Sequence, residues 1–570
     1  MVRVTKIRQE KYLFLFLIVW AAINILQATF MDLHSDEAYY WMYSKFLDWG
    51  YFDHPPMVAL FIKAGDLLAH SAFTLRLVTI ITTSISIFLL WKILSPYGKD
   101  IRLFILLFSS IVIFHVYGFI TTPDSPLLFF TVLFFYIYQK YALKDSYVLA
   151  ILLAVVTACM LYSKYHAVLI IFFTLISNLK LLRRPSLWLT ILLTAVALVP
   201  HIWWQIQNHY PSFYYHIIDR SADAYQLEFT YQYLLAQIAL AGPLIGWYLY
   251  GIASRQKVVD PFTKAMKFNF FGIFLFFLLS SFKGRVEAHW TLPGMLCLFC
   301  LSYIYFISKG VPNWFNKVAQ INIALIVMVR LVLIIPIPFL ERVNLVADYF
   351  NTENWAKKIH NKAKSEKVIF LDSFQLPSKY NYYNNTTAGF GYDSRMYRKN
   401  QFDIWPLEDS LRNHRVYYVL QHNEGVKGQD TITTEKGVFY GRWIDKARIY
   451  QKVGIELQQP IQNVKPGQLV ELLLNISNPY NEPIYLGNVN EVWKCFLEYG
   501  FKKQGKFIGS LEQIKEDLNS VRVNAKNSTG LKCKVKMPNL PGNYKLVFSI
   551  RTEPFFGSRN SSHINVNVVP

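Results

Sequence analysis

Hydrophobic positions in the first 340 residues form long runs broken by short polar segments, whereas the remainder alternates apolar and polar residues over much shorter stretches. Runs near 12–30, 72–94, 101–120, 125–141, 147–162, 167–180, 187–206, 233–252, 268–281, 291–308 and 319–338 predict eleven helical spans. The hydrocarbon core of a bilayer is about 30 Å thick, and a helix crosses it in roughly 20 apolar residues. The pair 147–162 and 167–180 also reads as one long tilted helix. That alternative leaves Lys164 in mid-bilayer and moves Arg183 and Arg184 to the other side, costs that two short spans avoid.

After 340 the pattern changes. Strand-like stretches at Val368–Ser373 and Val416–Leu420 predict a mixed α/β module over 341–452. From 453 to 570, alternating segments such as Val470–Ile476 and Tyr544–Ile550 are set between turn signals (Lys465-Pro466-Gly467, Asn478-Pro479, Pro541-Gly542). That is the signature of a β-sandwich. The expected fold is a polytopic α-helical membrane domain over 1–340, followed by these two C-terminal modules.

Composition agrees. Hydrophobic residues make up 53% of the chain and charged residues 17%, against about 25% charged in soluble proteins. Soluble globular, disordered and disulfide-scaffold classes are set aside on that ground. The net charge of +21 invites a nucleic-acid partner. The basic residues of the first 340 lie in loops, however, as the positive-inside rule requires. With the N-terminus inside, eighteen cations fall in cytoplasmic segments and seven, including Arg220, in outer ones. The chain is therefore expected in a bacterial inner membrane with everything after the eleventh span outside. No cleavable signal is expected, because the run 12–30 ends without a small-residue cleavage site. Of five cysteines, Cys159, Cys297 and Cys300 lie in spans, and Cys495 and Cys533 are expected to form a disulfide in the outer tail.

The unusual ionisable residues fall on that outer side, Arg330 excepted. The first loop holds Asp36-Glu37 just after the first span, then Tyr51-Phe52-Asp53-His54-Pro55-Pro56. An acid pair there is either a general base with its neighbour or the start of a helix. Asp124 stands in the turn Pro123-Asp124-Ser125-Pro126, as a candidate acid or as a helix cap. Lys164 and His166 separate the two short spans, and Lys283, Arg285, Glu287 and His289 precede the tenth. Arg330 sits inside the eleventh span, where a cation is costly unless paired or near water. Together these supply carboxylates to activate a nucleophile and cations to hold a phosphate, a combination suited to a lipid phosphate. No Walker A loop, dinucleotide fingerprint or zinc motif is present. The first loop offers oxygens to a divalent cation without a full ligand set, so no cofactor is assigned.

These motifs, in this order, resemble the polyprenyl-phosphate-dependent glycosyltransferases of the GT-C class. The first-loop pattern is similar to that of protein O-mannosyltransferases and of the bacterial aminoarabinose transferase that modifies lipid A. The turn at Asp124 and the segment Gly284-Arg285-Val286-Glu287-Ala288-His289-Trp290 resemble the bacterial branch. At His54 the chain has the mannosyltransferase residue where the aminoarabinose branch has lysine. The resemblance implies a GT-C fold and transfer, with inversion, from a polyprenyl-phosphate-linked sugar to a lipid A, glycan or protein acceptor. It assigns catalysis to Asp36, Glu37 and Asp124. Lys164 and the segment Lys283–His289, with Arg285 and Glu287, match the region that meets the lipid phosphate and acceptor, and His54, His166 and Arg330 are further candidates for that contact. A flippase for lipid-linked sugars would use similar residues at mid-membrane or on both sides, often with inverted repeats, but apart from Arg330 the charges cluster outside and no repeat is visible.

Overall fold

The computed structural model describes residues 2–218, 225–335, 346, 349–461 and 463–570, with the backbone alone for 2–8 and 218. Arg220, positions 336–338 of the eleventh expected span and the boundary expected at 340/341 lie outside the described residues. Contacts divide the chain into two units, Met1–Thr352 and Glu353–Pro570.

The first unit is helical. In chain order its helices are α1 (Val2–Phe30), α2 (Ser35–Lys45), α3 (Met57–Asp66), α4 (Ala72–Leu94), α5 (Ile101–Ser110) and α6 (Val112–Val116). There follow α7 (Asp124–Leu143), α8 (Tyr147–Ser163), α9 (Ala167–Ser177), α10 (Pro185–Gln207) and the single turn α11 (Pro211–Phe213). The unit closes with α12 (Leu227–Ala241), α13 (Gly246–Arg255), α14 (Pro261–Ser280), α15 (Leu292–Lys309) and α16 (Asn313–Val332). Among the described residues, seven helices are long and apolar enough to cross a membrane, and α12 with α13, bent by 88°, would make an eighth. The chain is a multi-pass membrane protein. All eleven expected runs carry helix, but three are occupied by the shorter α5, α8 and α9. The run 101–120 breaks because Ile111 is extended, with φ −93° and ψ 111°. The bend after α12 turns on Gly242 at φ +121°, where a Cβ would also lie 2.8 Å from the Ser110 carbonyl oxygen.

Within the second unit, α17 (Thr352–Ala363) precedes β1 (Val368–Leu371), α18 (Gln375–Tyr383), β2 (Gly389–Tyr392), β3 (Val416–Leu420), β4 (Asp430–Thr434) and β5 (Gly437–Ile444). Their sheet has the order β2-β1-β3-β5-β4, with β1 parallel to both its neighbours. The rest comprises β6 (Gly454–Leu457), β7 (Leu469–Ser477), β8 (Ile484–Tyr485), β9 (Cys495–Lys503) and β10 (Lys506–Gln513). Four further strands complete it: β11 (Arg522–Val523), β12 (Ser528–Lys536), β13 (Gly542–Thr552) and β14 (Ile564–Val568). A β10-β9-β13-β14 sheet and a β12-β7-β6 sheet share one apolar core, Leu474, Ile476, Leu497, Leu546 and Phe548 among it.

The expected disulfide is not formed: Cys495 and Cys533 are both free and buried. Cys495 opens β9 near Arg448 and Arg551, while Cys533 lies within β12 near Glu516 and Tyr499. Cys495 lies opposite Thr552 of β13 and Cys533 opposite Leu472 of β7, so the two thiols belong to different sheets. Burial pushes each thiol up to about 12, which keeps both protonated and unreactive. Denatured without reductant, the protein should therefore titrate all five of its thiols, and reductant should leave its Tm unchanged.

Candidate active site

The first loop folds around Glu37. His34 caps α2 by accepting the Asp36 backbone N–H on Nδ1 at 3.2 Å, and the Glu37 carboxylate accepts the His34 N–H in return at 3.1 Å. This reciprocal box has histidine in the place usually taken by serine or threonine. The same carboxylate accepts Arg76 Nε at 2.9 Å, Arg76 Nη2 at 2.6 Å and the Thr121 N–H at 2.9 Å. Both side chains of the pair are fully buried. Arg76 also donates to the carbonyls of Ala28, Met31 and Asp32. The Glu37 carboxylate is thus committed to joining α1, α2, α4 and the turn before α7.

Asp36, one residue earlier, points the other way: its side chain is 38% exposed and lies 3.7 Å from His34 Nδ1. The buried Tyr40 ring lies one helical turn on. Burial raises its hydroxyl well above the usual range, with the negative charge of Asp36 next and those of Asp53 and Asp124 adding to it. The charges of three carboxylates are thus felt at this hydroxyl. Asp124 opens α7, where the helix dipole favours an acid, and both its oxygens accept Lys164 Nζ at 2.8 Å. His289 Nε2 lies 3.6 Å from the same carboxylate. Lys164 is available because α8 stops at Ser163 and α9 starts at Ala167, and the break between the two short helices delivers its ammonium to Asp124.

Beside this cluster is a cavity of about 440 Å³. His54, Lys164, His166, Lys283 and Arg285 line it, and Val168, Leu169, Phe276 and Phe277 form an apolar wall. Five candidates from three separate segments thus meet in one space. Glu287 does not line it and pairs loosely with the largely exposed Arg285 at 3.7 Å. Arg330 is a correction: it lines a different, mostly apolar cavity of about 360 Å³. Its guanidinium bonds Gln27 Oε1 at 3.2 Å, His115 Nδ1 at 3.3 Å and Asn24 Oδ1 at 2.8 Å. Neutral partners on α1 and α6 satisfy it there, away from the cations of the first cavity.

Two residues of the site went unrecognised in the sequence. Arg76 counts in the sequence as one of the seven outer-side cations, although a cation one turn inside the apolar run 72–94 is itself a signal. His216 lines the cavity and bonds the Asp53 carbonyl at 2.9 Å. Its only mark is its place in the aromatic stretch 213–216. Among the described residues no three His, Cys, Asp or Glu side chains gather as a metal site.

Two comparisons bear on this arrangement. Residues 53–204 match the family model described as dolichyl-phosphate-mannose-protein mannosyltransferase. The crystal structure of ArnT from Cupriavidus metallidurans in the apo state aligns at 15% identity with a TM-score of 0.54, covering 76% of this chain and 98% of that one. The fold is that of the GT-C class. The structure of ArnT from Cupriavidus metallidurans bound to undecaprenyl phosphate aligns equally well, at 14% identity, TM-score 0.54 and the same coverage of 76% and 98%. No curated protein sequence matches the chain. At these identities the likeness concerns the GT-C fold, and the family match covers the stretch carrying His54, Asp124, Lys164 and His166.

Proposed function

We propose that the chain is an inverting glycosyltransferase that moves a sugar from a polyprenyl-phosphate donor to an acceptor on the outer face of a bacterial inner membrane. One observation carries this reading: three cations and three histidines line a cavity with an apolar wall, and Asp124 grips one of those cations with both oxygens. The cations suit a lipid phosphate and the wall suits the first isoprene units. The eighteen-to-seven charge asymmetry supports the orientation.

In the proposed reaction Asp36 takes the proton of the acceptor hydroxyl as the acceptor oxygen bonds to C1 of the sugar. The C1–O bond to phosphate breaks on the opposite face, so configuration inverts, and the electron pair leaves with the polyprenyl phosphate. That added negative charge is met by Lys164, Lys283 and Arg285, groups already aimed at it. Asp124 orients Lys164, and Glu37, fully buried, positions Asp36 without touching substrate.

Radiolabelled polyprenyl-phosphate sugars, offered to the purified protein with a membrane extract as acceptor source, should yield a new labelled product. No transfer from any donor, with lipid crossing reconstituted vesicles equally in wild type and Asp36→Asn, would instead establish a transporter. Lys283→Ala combined with Arg285→Ala should weaken donor binding about tenfold. Because both side chains are exposed, Tm should stay unchanged, and equal donor affinity in the double variant would remove them from the phosphate site.

A further inference from the structure

The second unit holds a cavity of its own at a place where open parallel sheets bind ligands. From β1 the chain runs through α18 to β2 on one side, then returns past β1 to β3 on the other. Strand order thus reverses between β1 and β3, and the crevice beyond the carboxyl ends of such strands is the usual binding position. A cavity of about 380 Å³ lies there, with Leu371 and Leu420 at the strand ends and Asp372, Ser394, Gln421 and His422 just beyond them. We propose that it binds a neutral carbohydrate.

The chemistry of the lining carries the ligand class. Asp372 takes the left-handed backbone, at φ +49°, which aspartate tolerates better than most residues. Its carboxylate accepts the Ser394 N–H at 2.6 Å and the Ser394 hydroxyl at 2.8 Å, one on each oxygen. The side chain is therefore fixed, with lone pairs left for further donors. Gln421 and His422 are exposed and supply both donors and acceptors. Met396 and Phe556 also line the space and are 71% and 43% exposed, an apolar platform for the C–H face of a sugar ring. Hydroxyl groups above and below such a ring match this mixture of acceptor, donor and apolar surface.

An anion is disfavoured. Among the described residues no lysine or arginine lines the cavity, Asp372 contributes negative charge, and the start of α18 already has its Leu376 N–H bonded to Ser373 Oγ at 3.0 Å. A cation is disfavoured as well, since one carboxylate falls short of the six to eight oxygens that calcium takes. On the glycosyltransferase reading, the occupant would be part of the acceptor glycan, although binding itself does not depend on that reading.

The test uses the full-length protein in a detergent without a sugar headgroup. Saturation-transfer NMR is run with maltose, lactose and mannobiose, and with glucose 1-phosphate as the anionic probe. At least one neutral disaccharide should receive saturation. The double variant Gln421→Ala/His422→Ala, altered only at exposed side chains, should keep its Tm and lose binding about tenfold or more. Asp36→Asn should bind the disaccharide like wild type, which separates this site from the transfer reaction. The proposal is overturned if no neutral disaccharide receives saturation, if glucose 1-phosphate alone does, or if the double variant binds as tightly as wild type.

Discussion

Asp36→Asn should lower transfer by about 10²- to 10⁴-fold, the range for loss of a general base, while donor affinity stays at the wild-type value. The substitution is nearly isosteric. The bond that caps α2 runs from the Asp36 backbone N–H to His34 Nδ1, so the helix start survives and the loss is chemical. Donor binding is spared because Asp36 does not line the cavity that holds Lys164, Lys283 and Arg285. Asp124→Asn should behave differently: it weakens the grip on Lys164 and therefore alters donor affinity together with rate. Steady-state rates and direct donor titration on the two variants separate these outcomes. Turnover of Asp36→Asn near the wild-type rate would remove Asp36 from the chemistry.

Arg76→Met should destabilise the membrane unit by about 3–5 kcal/mol, the cost of leaving one partner of a buried ion pair uncompensated. The Glu37 carboxylate would keep only the N–H groups of His34 and Thr121, and the carbonyls of Ala28, Met31 and Asp32 would each lose a donor. The double variant Glu37→Gln/Arg76→Met should be more stable than Arg76→Met alone, because it removes the stranded charge; residues in such contact are not additive. Denaturant unfolding in detergent measures both. Wild-type stability in Arg76→Met would show that the pair carries no structural weight.

Much of the helical unit was legible in the sequence because a bilayer demands long apolar runs and penalises exceptions. The penalty on a mid-bilayer Lys164 separated two helices that hydropathy alone would join, and those helices do break at Lys164-Tyr165-His166. The convergence of His54, Lys164, His166, Lys283 and Arg285 followed from charges gathered at one end of the spans. Neighbouring acids defeated the same reading. Asp36 and Glu37 are chemically alike, yet successive helix positions turn by about 100°, which sends one carboxylate toward solvent and the other into the protein. Which goes where depends on Arg76 and Thr121, far along the chain. Arg330 was misplaced for a related reason, since its partners Asn24 and Gln27 belong to the first span. In the second unit, alternation located β7 and β13, whereas Gly389–Tyr392, with two glycines in four residues, gave no strand signal.

The bonds of Glu37 also set an order of assembly. The carboxylate takes its partners from residues 34, 76 and 121. Asp124 waits for Lys164 and then for His289. Chains are delivered to the membrane from the N-terminus onward, so the acid cluster stays incomplete until α15 has begun to enter the bundle. A protein truncated by a stalled ribosome before that point has most of its apolar mass inserted and no working constellation of acids and cations. In such a fragment Glu37 and Asp124 already hold Arg76 and Lys164, and the proposed transfer site still lacks His289.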